Sequence, residues 1–214
     1  MKDWLLDLFF PPKCMFCGKL LRDGEHHFCL SCRDSLPETD RRKSVRFTSG
    51  CVAPFLYREP VREALLRFKF GSRPYYAEAF GPMMAAKLRN HEVDFVTWIP
   101  VSRRRKFSRG YDQAQLLAEE TARILDLPCI PTMKKSHRKK QSRMNSPAER
   151  RANIAGAFSV QHPEQVAGKV ILLIDDICTT GATMSEAAFT LCTAGAKEVC
   201  GAVLAMTEET KNSR

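Results

Sequence analysis

The most informative stretch of this sequence is Val170-Ile171-Leu172-Leu173-Ile174-Asp175-Asp176-Ile177-Cys178-Thr179-Thr180-Gly181-Ala182-Thr183. Its first five residues are all apolar, which is typical of a strand buried on both faces in the middle of a parallel sheet. Asp175 and Asp176, the acidic pair, follow where that strand should end. The amphipathic segment from Ser185 to Ala194 then predicts a helix. The sequence therefore predicts a strand, a loop and a helix in direct succession.

The loop between this strand and this helix has the composition of a phosphate site. Backbone N–H groups at a helix N-terminus are unpaired and carry partial positive charge, so they suit an anion. The hydroxyls of Thr179, Thr180 and Thr183 add hydrogen bonds, and Gly181 lets the backbone approach closely. The acidic pair is placed to accept hydrogen bonds from sugar hydroxyls or to hold Mg²⁺ through water. A phosphate beside a diol indicates a ribose 5-phosphate.

Two other interpretations of this stretch are weaker. An isolated pair of aspartates is usually a solvated acidic turn, but here the strand, the pair, the threonines and the helix start fall in one register. A Walker loop is excluded because no Gly-Lys-Ser/Thr sequence is present in the stretch.

Size and charge limit the classes of protein that fit. A chain of 214 residues can bury one good core and carry a small module besides. Its formal net charge of +10 favours polyanionic partners, which are polyphosphates, nucleic acid or an acidic protein surface. No stretch is apolar for long enough to cross a bilayer, and Asp3 and Asp7 interrupt the apolar N-terminus. We expect a cytoplasmic protein without a signal peptide or a transmembrane segment.

Four of the nine cysteines form two Cys-x-x-Cys knuckles, Cys14 with Cys17 and Cys29 with Cys32. This spacing predicts a tetrahedral Cys₄ zinc site, because each knuckle donates two thiolates. A redox dithiol, which needs only one knuckle, and an iron–sulfur cluster are the alternatives. A structural zinc would supply folding free energy that so short a segment cannot gain from a core.

The remaining patterns predict a doubly wound α/β domain over residues 50–214. Residues 1–49 are expected to form the zinc-knuckle module and, from Leu36 to Ser49, a polar linker. The predicted strands are Cys51 to Tyr57, Asp94 to Ile99 and Glu198 to Met206. The predicted helices are Arg58 to Phe70, Tyr75 to Leu88 and Gln113 to Leu125.

A basic loop follows the strand that ends at Ile99. Loops after parallel strands gather at one sheet edge, so the cationic stretch from Val101 to Gln113 should face the acidic pair across the crevice. A pyrophosphate would lie there. A solvated basic surface is the alternative for this loop. The basic cluster Arg67, Lys69 and Arg73 is interpreted as a solvated face.

The segment from Met133 to Arg151 holds eight Lys and Arg residues and one Glu, a composition that favours a mobile loop. Such a loop can close over an anionic transition state or grip a nucleic-acid backbone. The sequence does not choose between these uses. Arg138, Lys139 and Lys140, together with Arg109, are the candidate nucleic-acid contacts.

Three separated blocks together resemble the ComF family of competence proteins. They are the two cysteine knuckles, the Arg-Gly-Tyr-Asp-Gln block from Arg109 to Gln113, and the stretch from Asp175 to Thr183. Gln141 and the run from Arg150 to Asn153 agree with the same family. The last block by itself resembles the phosphoribosyl pyrophosphate (PRPP) signature of type I phosphoribosyltransferases.

The resemblance implies a type I phosphoribosyltransferase-like doubly wound parallel sheet with a small N-terminal Cys₄ zinc module. It also implies a role in DNA uptake during natural transformation, on the cytoplasmic side, with single-stranded DNA and a competence helicase as partners. Peripheral association with the uptake machinery follows from that role. The alternative function is a metabolic phosphoribosyltransferase, similar to an amidophosphoribosyltransferase, that transfers ribose 5-phosphate from PRPP to an amine or a nucleobase.

The resemblance also assigns residues to PRPP, with Mg²⁺ as its companion ion and structural Zn²⁺ in the module. Asp175 and Asp176 would address the ribose hydroxyls as the catalytic residues. The residues assigned to the 5-phosphate are Thr179, Thr180, Gly181, Ala182 and Thr183, and those assigned to pyrophosphate are Val101, Ser102, Arg103, Arg104 and Arg105. The chain departs from the family at Asp112, where asparagine is expected, and at Met144, where leucine is usual.

Overall fold

The computed structural model describes residues 11–89, 91–135 and 156–208. Within these ranges the strands are β1 (Arg42–Lys43), β2 (Cys51–Val52), β3 (Phe55–Leu56), β4 (Phe95–Trp98), β5 (Met133–Lys135), β6 (Phe158–Val160), β7 (Val170–Cys178) and β8 (Glu198–Met206). The helices are α1 (Leu30–Asp34), α2 (Val61–Phe70), α3 (Tyr76–Ala86), α4 (Arg103–Arg109), α5 (Gln113–Leu125), α6 (Pro163–Val166) and α7 (Ala182–Thr193). None of the helices in the described ranges is long and apolar enough to span a membrane.

The main sheet is parallel at its centre. β7 pairs with β8 on one side and with β4 on the other, and all three run in the same direction. β2 and β3 pair with successive parts of β8, also in parallel. β1 adds an antiparallel edge strand to β2, as is common in doubly wound folds. β5 and β6 form a separate antiparallel pair.

Helices cover both faces of the sheet, and β7 is buried between them. Ile171 and Leu173 point into one core and Leu172 and Ile174 into the other, because side chains alternate along a strand. All four are fully buried. The helices α2, α3 and α5 pack on the face of Leu172, and α6 and α7 pack on the opposite face. The predicted central strand and doubly wound sheet are confirmed.

The N-terminal module shares the core of the sheet domain. Phe16, inside the first knuckle, is 1% exposed, and its ring lies 6.4 Å from that of Phe55 and 6.3 Å from that of Phe80 between centroids. Arg67 of α2 donates from Nη1 to the carbonyl oxygens of Met15 and Phe16, at 2.9 and 3.1 Å. Full burial of a phenylalanine contributes about 1.5–3 kcal/mol. The module and α2 therefore stabilise each other. The predicted domain boundary between residues 49 and 50 stays a prediction.

The stretch from Leu36 to Ser49, expected to be a linker, is part of the fold. It contributes β1 to the sheet, and Val45 is buried against the loop before α7. A strand of two residues has no periodicity that a sequence can display. The polar composition of this stretch therefore concealed its packing.

The basic stretch after β4, expected to be a loop, contains the helix α4. Ser102 caps it, since its hydroxyl oxygen accepts a hydrogen bond from the backbone N–H of Arg105 at 3.4 Å. Gly110 ends it in the left-handed conformation, with φ at +81°. No residue of α4 is buried, so the helix shows no apolar periodicity.

The basic segment from Met133 to Arg151 begins as β5 rather than as a loop. Residues 136–155 lie outside the described ranges, and Arg138, Lys139 and Lys140 lie outside with them.

Candidate functional site

The acidic pair lies within β7, since pairing with β8 continues from Asp175 opposite Val203 to Cys178 opposite Met206. Consecutive residues of a strand face opposite sides of the sheet. Asp176 therefore shares a side with α2, where its Oδ2 lies 2.9 Å from Nζ of Lys69. Both side chains are mostly buried, at 15% and 17% exposure. This ion pair holds the Lys69 ammonium group against the acidic pair.

Asp175 lies in surroundings that oppose its charge. Dense burial raises the pKa of its carboxyl well above the usual range, and the neighbouring Asp176 carboxylate raises it further. The charge of Lys69 and a hydrogen bond from the backbone N–H of Asp176, at 2.8 Å to Oδ1, act in the opposite direction. Asp175 is partly exposed as a residue and lines the cleft described below, so a ligand can still reach it.

We expect Asp175→Asn to stabilise the ligand-free protein increasingly as pH rises. A carboxyl whose folded-state pKa lies above its unfolded value binds more protons when folded, so its contribution falls as pH rises above about 4. The amide oxygen of asparagine can still accept the hydrogen bond from Asp176. Melting temperatures of both proteins between pH 4 and pH 8 test this, and a difference that stays constant with pH contradicts it.

A cleft of about 310 Å³ opens over the acidic pair at the carboxyl ends of β4 and β7. Four cations line it, Lys69 from α2, Arg105 and Arg109 from α4, and Lys135 from β5. Burial, and then the charge of Arg105, lower the pKa of Lys135. Two carboxylates surrounded by four cations suit a ligand that combines several phosphates with hydroxyls or a metal ion.

The loop from Thr179 to Thr183 forms one end of the cleft and encloses a small recess of about 30 Å³. Gly181 stands just before α7 with φ at +77°, a conformation that glycine adopts without strain. A Cβ at Gly181 would also lie 3.1 Å from the side chain of Val45. Lys43 donates from Nζ to the carbonyl oxygen of Thr179. Val45 and Lys43, from the stretch that was expected to be a linker, therefore fix the shape of this loop.

Asp112 connects the backbone at Val101, just after β4, to the start of α5. Its Oδ1 caps the helix by accepting from the N–H groups of Ala114 and Gln115, at 3.1 and 3.3 Å. Its Oδ2 accepts from the N–H of Val101 at 3.0 Å. An asparagine could not accept on both atoms, since its Nδ2 only donates. Aspartate at this position therefore makes contacts that asparagine could not make, and burial raises the pKa of this carboxyl.

The structure brings some of the predicted pyrophosphate residues to the cleft and leaves others outside. Val101 and Arg105 line it, whereas Ser102 caps α4 and does not. Arg103 and Arg104 are exposed and do not line the cleft either. Among the phosphate-loop residues, Thr179 and Thr183 reach the main cleft, and Thr180, Gly181 and Ala182 line the small recess. Arg109, predicted as a nucleic-acid contact, lies on the cleft wall.

Three lysines at this site are not predicted from the sequence. The sequence indicates a solvated helix face for Lys69, a mobile loop for Lys135 and a linker for Lys43. Each reaches the site from an element distant in sequence, so no local spacing marks it. The position of Lys69 at the end of the apolar face of α2 was the one available signal.

The four knuckle cysteines form a compact cluster away from the cleft. The sulfur atoms of Cys14, Cys17, Cys29 and Cys32 all lie within 4.8 Å of one another, and Cys17 and Cys29 are 3.8 Å apart. Sulfurs at about 2.3 Å from a tetrahedral zinc are about 3.8 Å apart. Although burial opposes it, hydrogen bonds from backbone N–H groups lower the pKa of Cys14 to about 7. This geometry fits a Cys₄ zinc site.

Comparison with known proteins supports both parts of this description. Residues 112–214 match the phosphoribosyl transferase domain, and residues 5–44 match the double zinc ribbon domain. Competence protein ComFC of Streptococcus pneumoniae is 32% identical over a region that covers 87% of this chain and 96% of that protein. The chain belongs to the ComF family. Competence protein ComFC of Bacillus subtilis is 30% identical over 82% of this chain and 69% of its own length.

A third relative of this ComF protein is competence protein F of Haemophilus influenzae, 26% identical over 88% of the chain and 82% of that protein. The family match confirms the phosphoribosyltransferase-like fold that the resemblance implied. The zinc ribbon match, with the cluster geometry, confirms the structural zinc site.

Proposed function

We propose that this ComF protein binds PRPP in the cleft over the acidic pair and acts in DNA handling during natural transformation. The observation that carries the proposal is the cleft itself, with two carboxylates at its base, four cations on its walls and a threonine loop at one end. PRPP presents a diol, a monophosphate and a pyrophosphate, which match these three features in kind.

The chain offers a place for each part of PRPP. The loop from Thr179 to Thr183 takes the 5-phosphate, with backbone N–H groups and hydroxyls as donors. Asp175 and Asp176 accept hydrogen bonds from the ribose hydroxyls. The pyrophosphate lies along Val101 and Arg105, within reach of Lys69. Asp175 and Asp176 with the pyrophosphate oxygens could hold Mg²⁺, which would neutralise charge on the pyrophosphate.

Lys69 has a further part in this proposal. In the ligand-free protein its ammonium neutralises Asp176 at 2.9 Å, so the two carboxylates tolerate each other. When PRPP enters, the same ammonium lies between a carboxylate and the incoming phosphates. Lys69 can therefore pair with Asp176 in the ligand-free protein and with both Asp176 and the phosphates when PRPP is bound.

The cellular role rests on the relatives. Three proteins similar to this chain are named for competence, and others for DNA utilization. We infer the same role here, on the cytoplasmic side, with single-stranded DNA and a competence helicase as partners. The net charge of +10 supports a polyanionic partner.

Calorimetric titration of the zinc-loaded protein with PRPP and Mg²⁺ tests the proposal. We expect saturable binding of one PRPP per chain, weakened when Mg²⁺ is removed by a chelator. Ribose 5-phosphate and pyrophosphate, each of which offers only part of the ligand, should compete weakly. Absence of binding would overturn the assignment, and pyrophosphate release only after an amine or a nucleobase is added would identify a metabolic transferase instead.

A further inference from the structure

A second depression, the α4 groove, continues from the cleft along helix α4. It encloses about 590 Å³ and is lined by Lys69, Phe70, Ser72, Arg105, Ser108 and Arg109. Three of these residues are cations, and none is acidic. The same three cations, Lys69, Arg105 and Arg109, also line the cleft over the acidic pair. The two depressions therefore share their positive charge.

An aromatic ring lies in the wall of the α4 groove. Phe70, the last residue of α2, is 68% exposed, although large apolar side chains are normally buried. The guanidinium of Arg109 lies over its ring, 4.8 Å from the centroid. Nη1 of Arg109 also donates to Oε1 of Gln113 at 2.8 Å, which fixes the orientation of the guanidinium. A fixed guanidinium on an aromatic ring provides a surface on which a nucleobase can stack.

Helix α4 presents two different faces. Arg105, Ser108 and Arg109 stand at positions i, i+3 and i+4, so they share one face, and all three line the groove. Phe107 lies on the opposite face and is 94% exposed. The groove and the outer face of α4 can therefore be distinguished by single substitutions.

We propose that the α4 groove binds a short segment of single-stranded nucleic acid, and that this strand and PRPP compete for Lys69, Arg105 and Arg109. The strand phosphates meet the three cations, and a base stacks on the Phe70–Arg109 pair. Because PRPP places its own phosphates against the same cations, each ligand lowers the affinity of the other. The competition rests on the proposed PRPP site, whereas the groove itself does not.

The shape of the groove favours a single strand over two other anionic partners. A duplex buries the base faces, so the Phe70–Arg109 pair would have nothing to stack on. Proteins that bind an anionic membrane present an outward-facing apolar surface beside their cations. Here the cations line a depression, and α4 has a single large apolar residue. Neither phosphates nor base faces distinguish DNA from RNA, so the groove should accept both.

Fluorescence anisotropy with a labelled DNA strand of about 16 nucleotides tests the proposal. We expect Phe70→Ala to weaken binding at least about fivefold, because base stacking on an aromatic ring is lost. Phe107→Ala is the matched control, since it removes an even more exposed phenylalanine ring from the other face and should leave affinity unchanged. Arg105→Gln should lower the slope of log affinity against log salt by about 0.7.

The competition has its own measurement. Saturating PRPP with Mg²⁺ should weaken binding of the strand to the wild type at least about fivefold. Unchanged strand affinity while calorimetry shows PRPP bound would overturn the competition. The proposal that the groove binds a single strand would be overturned by any of three results. These are an equal loss of strand affinity in Phe107→Ala, no loss of strand affinity in Phe70→Ala, and a preference for duplex DNA or anionic vesicles. If calorimetry shows no PRPP binding, the proposed function fails, and the Phe70 and Phe107 comparison still decides the groove.

Discussion

Asp175→Asn combined with Asp176→Asn should lower the affinity for PRPP at least about 100-fold. In the proposed site each of the two carboxyl groups accepts a hydrogen bond from the ribose or shares the metal ion, and hydrogen bonds to charged groups contribute about 1.5–3 kcal/mol each. Two of them together amount to about two or more orders of magnitude in the dissociation constant. Calorimetric titration of the double variant with PRPP and Mg²⁺ measures the loss.

The fold should survive this change, because β7 is held by its neighbours β4 and β8 and not by the acidic pair. Burial already disfavours the charge of Asp175, so replacing it with a neutral isostere removes a cost. Lys69 loses its partner but keeps contact with solvent in the cleft. A melting temperature close to that of the wild type would show that lost binding is not lost structure.

Asp126→Asn is the control for this double variant. Asp126 is exposed and ends α5 in the left-handed conformation, which asparagine tolerates. It stands thirteen residues along α5 from the helix end near the cleft, about 20 Å away. The control should bind PRPP as the wild type does. Affinity retained within about threefold in the double variant would place the ribose elsewhere.

Cys14→Ser combined with Cys17→Ser should remove the zinc and destabilise the whole described fold. Zinc binding in short Cys-rich segments is worth about 10–16 kcal/mol, which is comparable with the total stability of a domain. The loss will not stay local, because Phe16 lies between these cysteines and is buried against Phe55 and Phe80. Metal analysis and thermal melting followed by circular dichroism measure both effects.

The same variant should also bind PRPP more weakly. Arg67 of α2 holds the carbonyl oxygens of Met15 and Phe16, and Lys69 follows two residues later beside Asp176. Loosening the knuckle therefore releases the helix that positions a cation of the cleft. Calorimetry below the melting temperature of the variant tests this coupling.

Cys192→Ser is the control for the zinc experiment. Cys192 is a partly exposed cysteine on α7, remote from the four-sulfur cluster. It should keep stoichiometric zinc and nearly wild-type stability. Two results contradict the prediction: zinc retained by the double variant, which would rule out this ligand set, and zinc lost without any change in melting, which would show an independent module.

Features that lie within one short stretch of this chain could be predicted from the sequence, whereas contacts between distant stretches could not. The buried run from Val170 to Ile174, the acidic pair, the threonine loop and the two cysteine knuckles were all predicted from residue type and spacing. They could be predicted because each feature lies within one short stretch, where strand burial, loop conformation and ligand geometry leave a direct mark on the sequence. The limits of α5 and β8 were predicted for the same reason.

Helix α4 and strand β1 could not be predicted in the same way. The helix buries none of its residues, and the strand has only two, so neither shows periodic apolar residues. Their conformations follow from the Ser102 cap, from Gly110 and from pairing with β2. These are contacts with few atoms and no repeating pattern.

Local sequence patterns were enough to predict the sheet, the Cys₄ zinc site and the candidate phosphate loop. Only the folded chain shows which cations stand around the acidic pair and the phosphate loop. Lys69, Lys135 and Lys43 come from a helix, a strand pair and a presumed linker, and they meet only because the parallel sheet gathers those elements at one edge. The roles of Lys69 and Lys43 leave no local pattern in the sequence, since each depends on a carboxylate or a carbonyl group more than 40 residues away in the chain.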